Sequence, residues 1–483
     1  MPAKTLLLTL LAVFTSVHAP GAQPLNVLVF LADDLGQRDI TCYHPQTFHE
    51  TPHLQRLASG AALFTHAYSA SPVCSPTRYA LMTGRWPTRS GITNYLYGTR
   101  EEKFAPAPLA RALPGADTTI AEILSPAQYQ NTFIGKWHLG ESPADWPEAH
   151  GFQINIGGHR AGHPPSWFSP YQNPRLQDGP PGEFLTTRLA RETIQALQSA
   201  HKTDKRFFIC HSFYQVHTPL AAPDPLVAKY REKRKTLGLV DRFGDETQHH
   251  ISSKQPRKVR QSQSQAVYAA MVESMDTAVG EILSALDELD LADETLVVFT
   301  SDNGGLSTAE GSPTSNLPYR AGKGWVYEGG IRVPLIVRWP GKARGRSIDT
   351  PVTTLDIMPT ILDAAGIRPS DPLDGQSLTP LLRGGALPPR DLFWHYPHYS
   401  NQGGFPGGAI RSGDHKLVEN YEDGSISLYH LIDDPGESRD LAPAKPELAA
   451  QLREKLHAWY RRTGARFLSA RSDGPAPWLP PAP

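Results

Sequence analysis

Two pairs of oxygen-bearing side chains stand out, each placed where a short apolar run of the sequence ends. Asp33 and Asp34 form the first pair, and Asp302 and Asn303 form the second. Carboxylate and amide oxygens are the ligands that hard divalent cations prefer, and Ca²⁺ accepts irregular geometry from separate segments. We therefore expect a Ca²⁺ site here, with Mg²⁺ as the lesser alternative. Either pair alone would equally suit a turn or a helix cap.

One cysteine and five basic residues have the chemistry to complete an anion-binding site beside such a cation. Cys74 begins the pattern C-x-P-x-R, which ends at Arg78. If a helix starts at Cys74, Arg78 lies one turn further on, and the first backbone N–H groups are free to bind an anion. Taken alone, the pattern also fits a small buried cysteine at a helix start. The other basic candidates are Lys136, His138, His217 and Lys323.

Four short apolar runs would position these residues. The runs are rich in Val, Leu, Ile and Phe and are separated by helix-length segments, which is typical of parallel strands covered on both faces. Ligands bind beyond the carboxyl ends of the strands in such sheets, so the polar residues that follow the runs are expected to converge. The runs span residues 25–32, 132–135, 206–213 and 295–300, and apolar periodicity predicts helices at residues 185–197, 265–291 and 355–365.

The predicted fold class is α/β, with a large, mostly parallel sheet sandwiched by helices and a smaller C-terminal α+β subdomain carrying an antiparallel sheet. Gly and Pro cluster at residues 366–390, which indicates a boundary, and a final helix is predicted at residues 446–463. The predicted parts are a signal peptide at residues 1–22, a catalytic domain at 23–380, a C-terminal subdomain at 381–470 and a Pro-rich tail at 471–483.

Composition excludes some classes of protein. The 47 basic and 48 acidic residues nearly balance, so no net field favours nucleic acid or an anionic membrane as a partner. Lys4 and the short apolar stretch that follows it predict Sec-type export to the periplasm or the medium. No later stretch is long enough for a membrane helix. Cys42 and Cys210 could pair after export, although two separate buried thiols are favoured.

Together and in order, these motifs resemble the signature of type I, formylglycine-dependent sulfatases of the alkaline phosphatase superfamily, and bacterial exported polysaccharide sulfatases in particular. That signature has paired aspartates after a strand, then C-x-P-x-R with TG, GKWHLG, HTP, SDNG, and a lysine before a glycine-rich stretch and VP. The matching segments, within about residues 25–440, are residues 33–34, 74–84, 135–140, 217–219, 301–304 and 323–334.

The resemblance implies that a formylglycine-generating enzyme oxidises Cys74 to formylglycine (3-oxoalanine). The hydrated aldehyde carries two hydroxyls on one carbon, of which one attacks sulfur and the other later expels sulfate. The implied metal ligands are Asp33, Asp34, Asp302, Asn303 and the modified Cys74.

The resemblance also implies roles for the basic residues. Arg78, Lys136 and Lys323 would hold the sulfate together with the cation and stabilise the transition state. His217, with Lys323, would protonate the departing alcohol. His138 would accept the proton of the second hydroxyl when the sulfated intermediate collapses.

Two segments rich in histidine and aromatic residues resemble a saccharide-binding rim like that of bacterial exported polysaccharide sulfatases. The expected substrate is a sulfated carbohydrate, and a ring of galactose or N-acetylgalactosamine type is the finer expectation. The candidate saccharide-binding residues are His159, His163, Trp167, His395 and His398. Packing of these side chains in the core is the alternative. The alternative functions are a generic arylsulfatase, a sister phosphoester or phosphonate hydrolase, and a non-catalytic sulfoglycan-binding protein.

Overall fold

The computed structural model describes residues 24–248, 256–342, 345–472 and 474–481. Its strands are β1 (Asn26–Ala32), β2 (Ala62–Phe64), β3 (Ala67–Tyr68), β4 (Gln130–Gly135), β5 (Ile154–Ile156), β6 (Phe207–Ser212), β7 (Phe243–Glu246), β8 (Arg257–Arg260), β9 (Thr295–Ser301), β10 (Leu335–Arg338), β11 (Arg346–Ile348), β12 (Val352–Thr353), β13 (Asp391–Tyr396), β14 (Gly407–Ser412), β15 (His415–Asn420) and β16 (Ile426–His430). Its helices are α1 (Pro52–Ser59), α2 (Cys74–Thr83), α3 (Pro87–Ser90), α4 (Ile120–Leu124), α5 (Leu185–Thr203), α6 (Asp224–Thr236), α7 (Ala266–Glu288), α8 (Glu328–Ile331), α9 (Ile357–Ala365), α10 (Thr379–Leu382) and α11 (Pro446–Thr463).

A mostly parallel sheet forms the centre of the larger part, in the strand order β11-β2-β10-β9-β1-β6-β4-β5. Strand β10 runs antiparallel to both of its neighbours, and the other pairs in this sheet are parallel. Strand β1 lies between β6 and β9, with Leu28 opposite Ile209 on one side and Val297 on the other. The carboxyl ends of β1, β4, β6 and β9 therefore meet at one edge, and the predicted α/β fold is confirmed.

Helices cover both faces of this sheet, which explains why the sequence of β1 is apolar without a break. Leu28 and Phe30 pack in one core with α1, α5, α6 and α7, whereas Val27 and Val29 pack in a second core with α2, α4 and α9. Alternate side chains of a strand point to opposite faces, so each face needs its own apolar layer. Burial of each such side chain contributes about 1.5–3 kcal/mol.

The predicted helices are confirmed, with ends displaced by a few residues. Helix α7 begins after Gln265, whose side-chain oxygen accepts hydrogen bonds from the N–H groups of Val267 and Tyr268 and so caps the helix. Met271 and Met275 lie on its buried face as apolar core residues. Helix α11 spans the range predicted for it.

The C-terminal region contains the antiparallel sheet β13-β14-β15-β16 and helix α11, as predicted. One face of this sheet packs on α11 through Leu417 and Leu456. The other face packs on the larger part, where the rings of Trp394 and Tyr68 lie 5.4 Å apart and Trp394 donates a hydrogen bond to the Ser69 carbonyl at 2.8 Å. The small sheet thus braces the segment that leads into Cys74, and the boundary at residue 381 stays a prediction.

The chain ends and the cysteines complete the description. The predicted signal peptide lies outside the described residues. Within the Pro-rich tail, the ring of Trp478 stacks on that of Tyr421 with 6.1 Å between centroids. Cys42 and Cys210 are both free thiols, as favoured from the sequence. In the described part of the chain, no helix combines the length and the apolar character needed to cross a bilayer.

Candidate active site

The two predicted pairs of oxygen-bearing residues meet at the carboxyl edge of the sheet. Asp33 and Asp34 directly follow β1, and Asp302 and Asn303 directly follow its parallel neighbour β9. The backbone N–H of Asp34 donates to Asp302 Oδ1 at 3.2 Å, and the Asn303 amide donates to Asp34 Oδ1 at 2.8 Å. All four side chains are buried and form one cluster of oxygen atoms.

Three buried cations neutralise this cluster, one for each carboxylate. The ion pairs are Lys136 to Asp33 at 2.7 Å, Lys323 to Asp34 at 2.8 Å and Arg78 to Asp302 at 2.7 Å. Desolvation costs several kcal/mol for each buried ion, so such charges persist only when they are paired and hydrogen-bonded. Loss of any one member would leave its partner uncompensated inside the protein.

Arg78 is held rigidly from several directions. It lies in α2, which begins at Cys74 as predicted and is buried along its whole length. Its Nη1 donates to the Lys136 carbonyl and to Ser212 Oγ, both at 2.7 Å. Its Nε and Nη2 both donate to Asp302 Oδ2, at 2.9 and 2.7 Å. The guanidinium therefore has a single orientation at the pocket.

Two buried oxygen atoms of the cluster, Asp33 Oδ1 and Asn303 Oδ1, have no hydrogen-bond partner among the described residues. A buried acceptor without a partner is costly, and a bound cation would satisfy both atoms. Ligand atoms of Asp33, Asp34 and His217 lie within 4.8 Å of one another. Because the donor set consists mainly of carboxylate and amide oxygens, the residues fit Ca²⁺ or Mg²⁺.

The surrounding charges shift the pKa values of the two aspartates in opposite directions. Burial raises the pKa of Asp33 well above its usual range, and Lys136 offsets this rise only in part. Burial also acts to raise the pKa of Asp34, but the Lys323 ammonium and His217 outweigh it, and the pKa of Asp34 is lowered.

Cys74 and His138 face each other at the start of α2, with Cys74 Sγ 3.3 Å from His138 Nδ1. Val73 precedes the helix and has no side-chain oxygen to cap it, so the backbone N–H groups of the first turn remain available to an anion. Burial raises the pKa of the Cys74 thiol. Burial, Lys136 and Arg78 lower the pKa of His138 well below its usual value. A neutral imidazole at this position is able to accept a proton.

His217 forms a second proton-transfer group with Lys323. Lys323 Nζ lies 2.9 Å from His217 Nε2, while His217 Nδ1 lies 2.5 Å from the carbonyl oxygen of Thr218. That carbonyl fixes the proton on Nδ1 and leaves Nε2 as an acceptor for the lysine. Burial and the Lys323 ammonium lower the pKa of His217 well below its usual value.

Two of these residues adopt left-handed backbone conformations, which are unfavourable for any residue other than glycine. The φ angle is 61° at Asp34 and 56° at His138. Conformations of this kind cost about 1–3 kcal/mol each and cluster at functional sites, where the surrounding structure enforces them.

Replacing Gly135 with alanine should destabilise the protein by about 2–4 kcal/mol and reduce activity, because both backbone strain and overpacking act there. Gly135 has a φ of 97°, and an added Cβ would lie 2.0 Å from the carbonyl oxygen of Ser212. Relief of that clash would shift Lys136, which follows directly. Thermal unfolding and the activity of the folded fraction measure the effect.

Gly182→Ala provides the matched control for this substitution. Gly182 has a φ of 81°, but no atom lies within 4 Å of an added Cβ. The Gly182→Ala substitution therefore introduces backbone strain without a steric clash, and it should reduce the free energy of unfolding less than Gly135→Ala does. Equal stability of the two variants would show that the close contact between the Gly135 backbone and the Ser212 carbonyl oxygen does not contribute to the stability loss.

Three predicted saccharide-binding residues lie in the loop that follows β5, and two of them are not at the surface. The His159 ring bonds to the carbonyl oxygen of Gly157 at 3.0 Å, and Trp167 Nε1 donates to the carbonyl oxygen of Pro219 at 2.6 Å. Both side chains are buried, which corresponds to the core-packing alternative. His163 alone is exposed, and its ring lies 6.3 Å from that of His217.

The other two predicted saccharide-binding residues, His395 and His398, also lie in the interior. His395 bonds through its two ring nitrogens to the Tyr421 hydroxyl at 2.7 Å and the Arg466 carbonyl at 2.8 Å. His398 Nε2 lies 2.8 Å from the Thr93 hydroxyl. The structure corrects the prediction that these two histidines bind sugar. The aromatic-rich segment forms β13 and the turn that follows it, and both histidine side chains are buried there.

Sequence reasoning missed residues that position the site. Ser212 accepts a hydrogen bond from Arg78 and so helps to orient it. It is the last residue of β6, so the expectation that polar residues at strand ends converge would have found it as well. Ser75 donates to the carbonyl oxygen of His138 at 2.9 Å.

Comparison with known proteins agrees with this geometry. The family model described as Sulfatase matches residues 25–367, and the model described as N-sulphoglucosamine sulphohydrolase, C-terminal, matches residues 321–462. A protein named Sulfatase from Formosa agariphila is 29% identical, with 95% of this chain and 93% of that protein covered. N-acetylgalactosamine-6-sulfatase of Rattus norvegicus is 31% identical, with 81% and 72% covered.

A solved structure shows the same architecture. The crystal structure of Ps i-CgsB in complex with k-i-k-neocarrahexaose superposes with a TM-score of 0.74 and 26% identity, covering 90% of this chain and 93% of that one. The family models account for the main sheet and for the C-terminal region alike. The chain belongs to the sulfatase family.

Proposed function

We propose that this sulfatase removes sulfate from a sulfated carbohydrate, with formylglycine derived from Cys74 as the nucleophile. The observation that carries the proposal is the position of Cys74 at the start of α2, 3.3 Å from His138 and one turn from the fixed guanidinium of Arg78. Formylglycine, when hydrated, supplies one hydroxyl to attack sulfur and a second to release sulfate. A formylglycine-generating enzyme is the required partner, and export through residues 1–22 is part of the proposal.

The proposed cation is Ca²⁺, with Mg²⁺ less favoured because it demands near-octahedral geometry. Asp33, Asp34, Asp302 and Asn303 would hold it, together with the modified residue 74. When bound, the ion supplies positive charge to a sulfate oxygen and lowers the pKa of a coordinated hydroxyl. The unpaired oxygens of Asp33 and Asn303 support this assignment.

The basic residues bind the sulfate and stabilise the charge that develops on its oxygens. The charged groups of Arg78, Lys136 and Lys323 lie in one buried cluster, where preorganised charges act more strongly than in water. Because Asp302 and Ser212 hold Arg78, little reorganisation accompanies the reaction.

The two histidines carry the proposed proton transfers. His217 and Lys323, 2.9 Å apart, act together as the acid for the departing sugar alcohol. The proton that reaches the alcohol oxygen comes from the Lys323 ammonium, because His217 Nε2 is an acceptor in this pair. His138 accepts a proton at the position of the residue 74 side chain when sulfate is released. The exposed ring of His163, beside His217, contacts the sugar.

The substrate proposal rests on relatives that act on sugars. The similarity to N-acetylgalactosamine-6-sulfatases and to the complex with neocarrahexaose supports a galactose- or N-acetylgalactosamine-type ring. Arylsulfatase A of Homo sapiens, 29% identical with 90% of this chain covered, makes a generic arylsulfatase the second candidate.

Sulfate release from a panel of substrates tests the proposal. The protein, produced together with a formylglycine-generating enzyme, would be assayed with sulfated galactose and N-acetylgalactosamine isomers, 4-nitrophenyl sulfate and 4-nitrophenyl phosphate. The highest kcat/KM is expected for a sulfated sugar. A preference for the aryl sulfate would favour the second candidate, and a preference for the phosphate ester would contradict both.

A further inference from the structure

Glu310 brings a carboxylate close to the cationic site. It lies in the loop between Asn303 and Lys323, and its side chain is exposed. Its φ angle is 52°, within a turn that the Ser312 N–H closes by donating to the Ala309 carbonyl oxygen at 2.7 Å.

Two hydrogen bonds hold this carboxylate in place. Glu310 Oε2 accepts from the Thr218 hydroxyl at 2.8 Å, and Oε1 accepts from the Gln402 amide at 2.7 Å. Thr218 follows His217 directly. Gln402 packs against Gly324, where an added Cβ would lie 2.7 Å from Gln402 Oε1. The carboxylate is thus anchored through Thr218, the chain neighbour of His217, and through Gln402, which packs on the chain neighbour of Lys323.

Unlike the buried aspartates, Glu310 has no lysine or arginine partner among the described residues. Within the described ranges of the chain it forms no ion pair, whereas Asp33, Asp34 and Asp302 each pair with a cation. Burial acts to lower the pKa of Lys323. The negative charge of Asp34 outweighs this effect and raises the pKa above its usual value, and Glu310 adds a smaller contribution in the same direction. Glu310 therefore adds a negative charge near Lys323 that no cation of the described residues pairs with.

We propose that Glu310 is a specificity-determining residue that accepts hydrogen bonds from the hydroxyls of the sulfated sugar and disfavours a second anionic group beside the sulfate. Each carboxylate oxygen retains a free lone pair, and a hydroxyl that donates to a charged acceptor binds more strongly than one that donates to a neutral acceptor. The preferred substrate is therefore a monosulfated, otherwise neutral or N-acetylated hexose. The inference rests on the proposed function and narrows its substrate class.

Glu310→Gln tests this inference through a ratio of rates. The probes are the monosulfated galactose or N-acetylgalactosamine isomer that the wild type hydrolyses best and the same sugar with a second sulfate on a neighbouring hydroxyl. The preference for the monosulfated sugar, measured as a ratio of kcat/KM values, should fall about tenfold in E310Q, as expected for like charges several ångströms apart at a partly solvated site. Added salt should reduce this difference between wild type and variant.

Control variants separate charge from structure. Glu232→Gln removes an exposed carboxylate from α6 and should leave the ratio unchanged. Thermal unfolding reports whether E310Q is folded, and E310A replaces it if it is not. An unchanged ratio in the folded variant would overturn the inference. Failure of the wild type to release sulfate from any substrate would instead overturn the proposed function.

Discussion

Cys74→Ala should lower sulfate-ester hydrolysis by about 10⁴- to 10⁶-fold, the loss typical of removing a catalytic nucleophile. The residue begins α2 and is buried against His138, so the substitution removes only the reactive group on Cβ, the aldehyde of the modified wild type, and leaves the helix in place. Its cost in stability should be small, about 1 kcal/mol. The measurements are kcat/KM with the preferred sulfated sugar and thermal unfolding of the same preparation.

Mass spectrometry of residues 57–78, a tryptic peptide of the wild type, links this loss to the modification. The peptide should show the mass change from thiol to aldehyde. Cys210→Ala is the matched control, because it removes another fully buried thiol, from β6. It should retain activity. Hydrolysis at the wild-type rate by the Cys74 variant would refute the nucleophile assignment.

Asp302→Ala should combine a loss of activity with destabilisation by about 3–5 kcal/mol, the cost of leaving a buried charge without its partner. Asp302 Oδ2 accepts two hydrogen bonds from Arg78, which is itself only 2% exposed. The substitution also removes a proposed metal ligand. The melting temperature with and without Ca²⁺ should therefore differ in the wild type and not in the variant.

Two further variants distinguish these effects. Asp302→Asn keeps an acceptor for Arg78, so it should lose less stability than D302A but still respond weakly to Ca²⁺. Asp356→Ala is the control, because it removes a buried carboxylate that pairs with Arg390 and is not a proposed metal ligand. It should destabilise the protein while keeping the Ca²⁺ response. A normal Ca²⁺ response in D302A would contradict the role of Asp302 in metal binding.

Strand ends explain why so much of the site could be predicted. Unbroken apolar runs form strands buried on both faces, and parallel strands place their carboxyl ends at one edge. Asp33, Asp302 and Lys136 therefore had to approach one another once the runs were recognised. The helix start at Cys74, which the sequence analysis assumed in order to place Arg78 one turn away, is observed.

Side chains outside this rule could not be placed from the sequence. Trp167 and His395 have polar atoms and aromatic rings, so their types suit a sugar-binding surface and a hydrogen-bonded core equally well. Only the packing of β13 and of the loop after β5 decided that both are buried. Glu310 depends on partners 92 residues away on either side, and no local pattern records such contacts.

The sequence by itself determined the four central strands that end at the site and the acids and bases that follow them, because these depend on local apolar patterns and on one topological rule. Tertiary structure alone decided which cation pairs with which acid, how Ser212 orients Arg78 and which polar side chains remain exposed. Those outcomes depend on distances between segments that are remote in sequence, and the free energy of burying each group is set only when the segments pack.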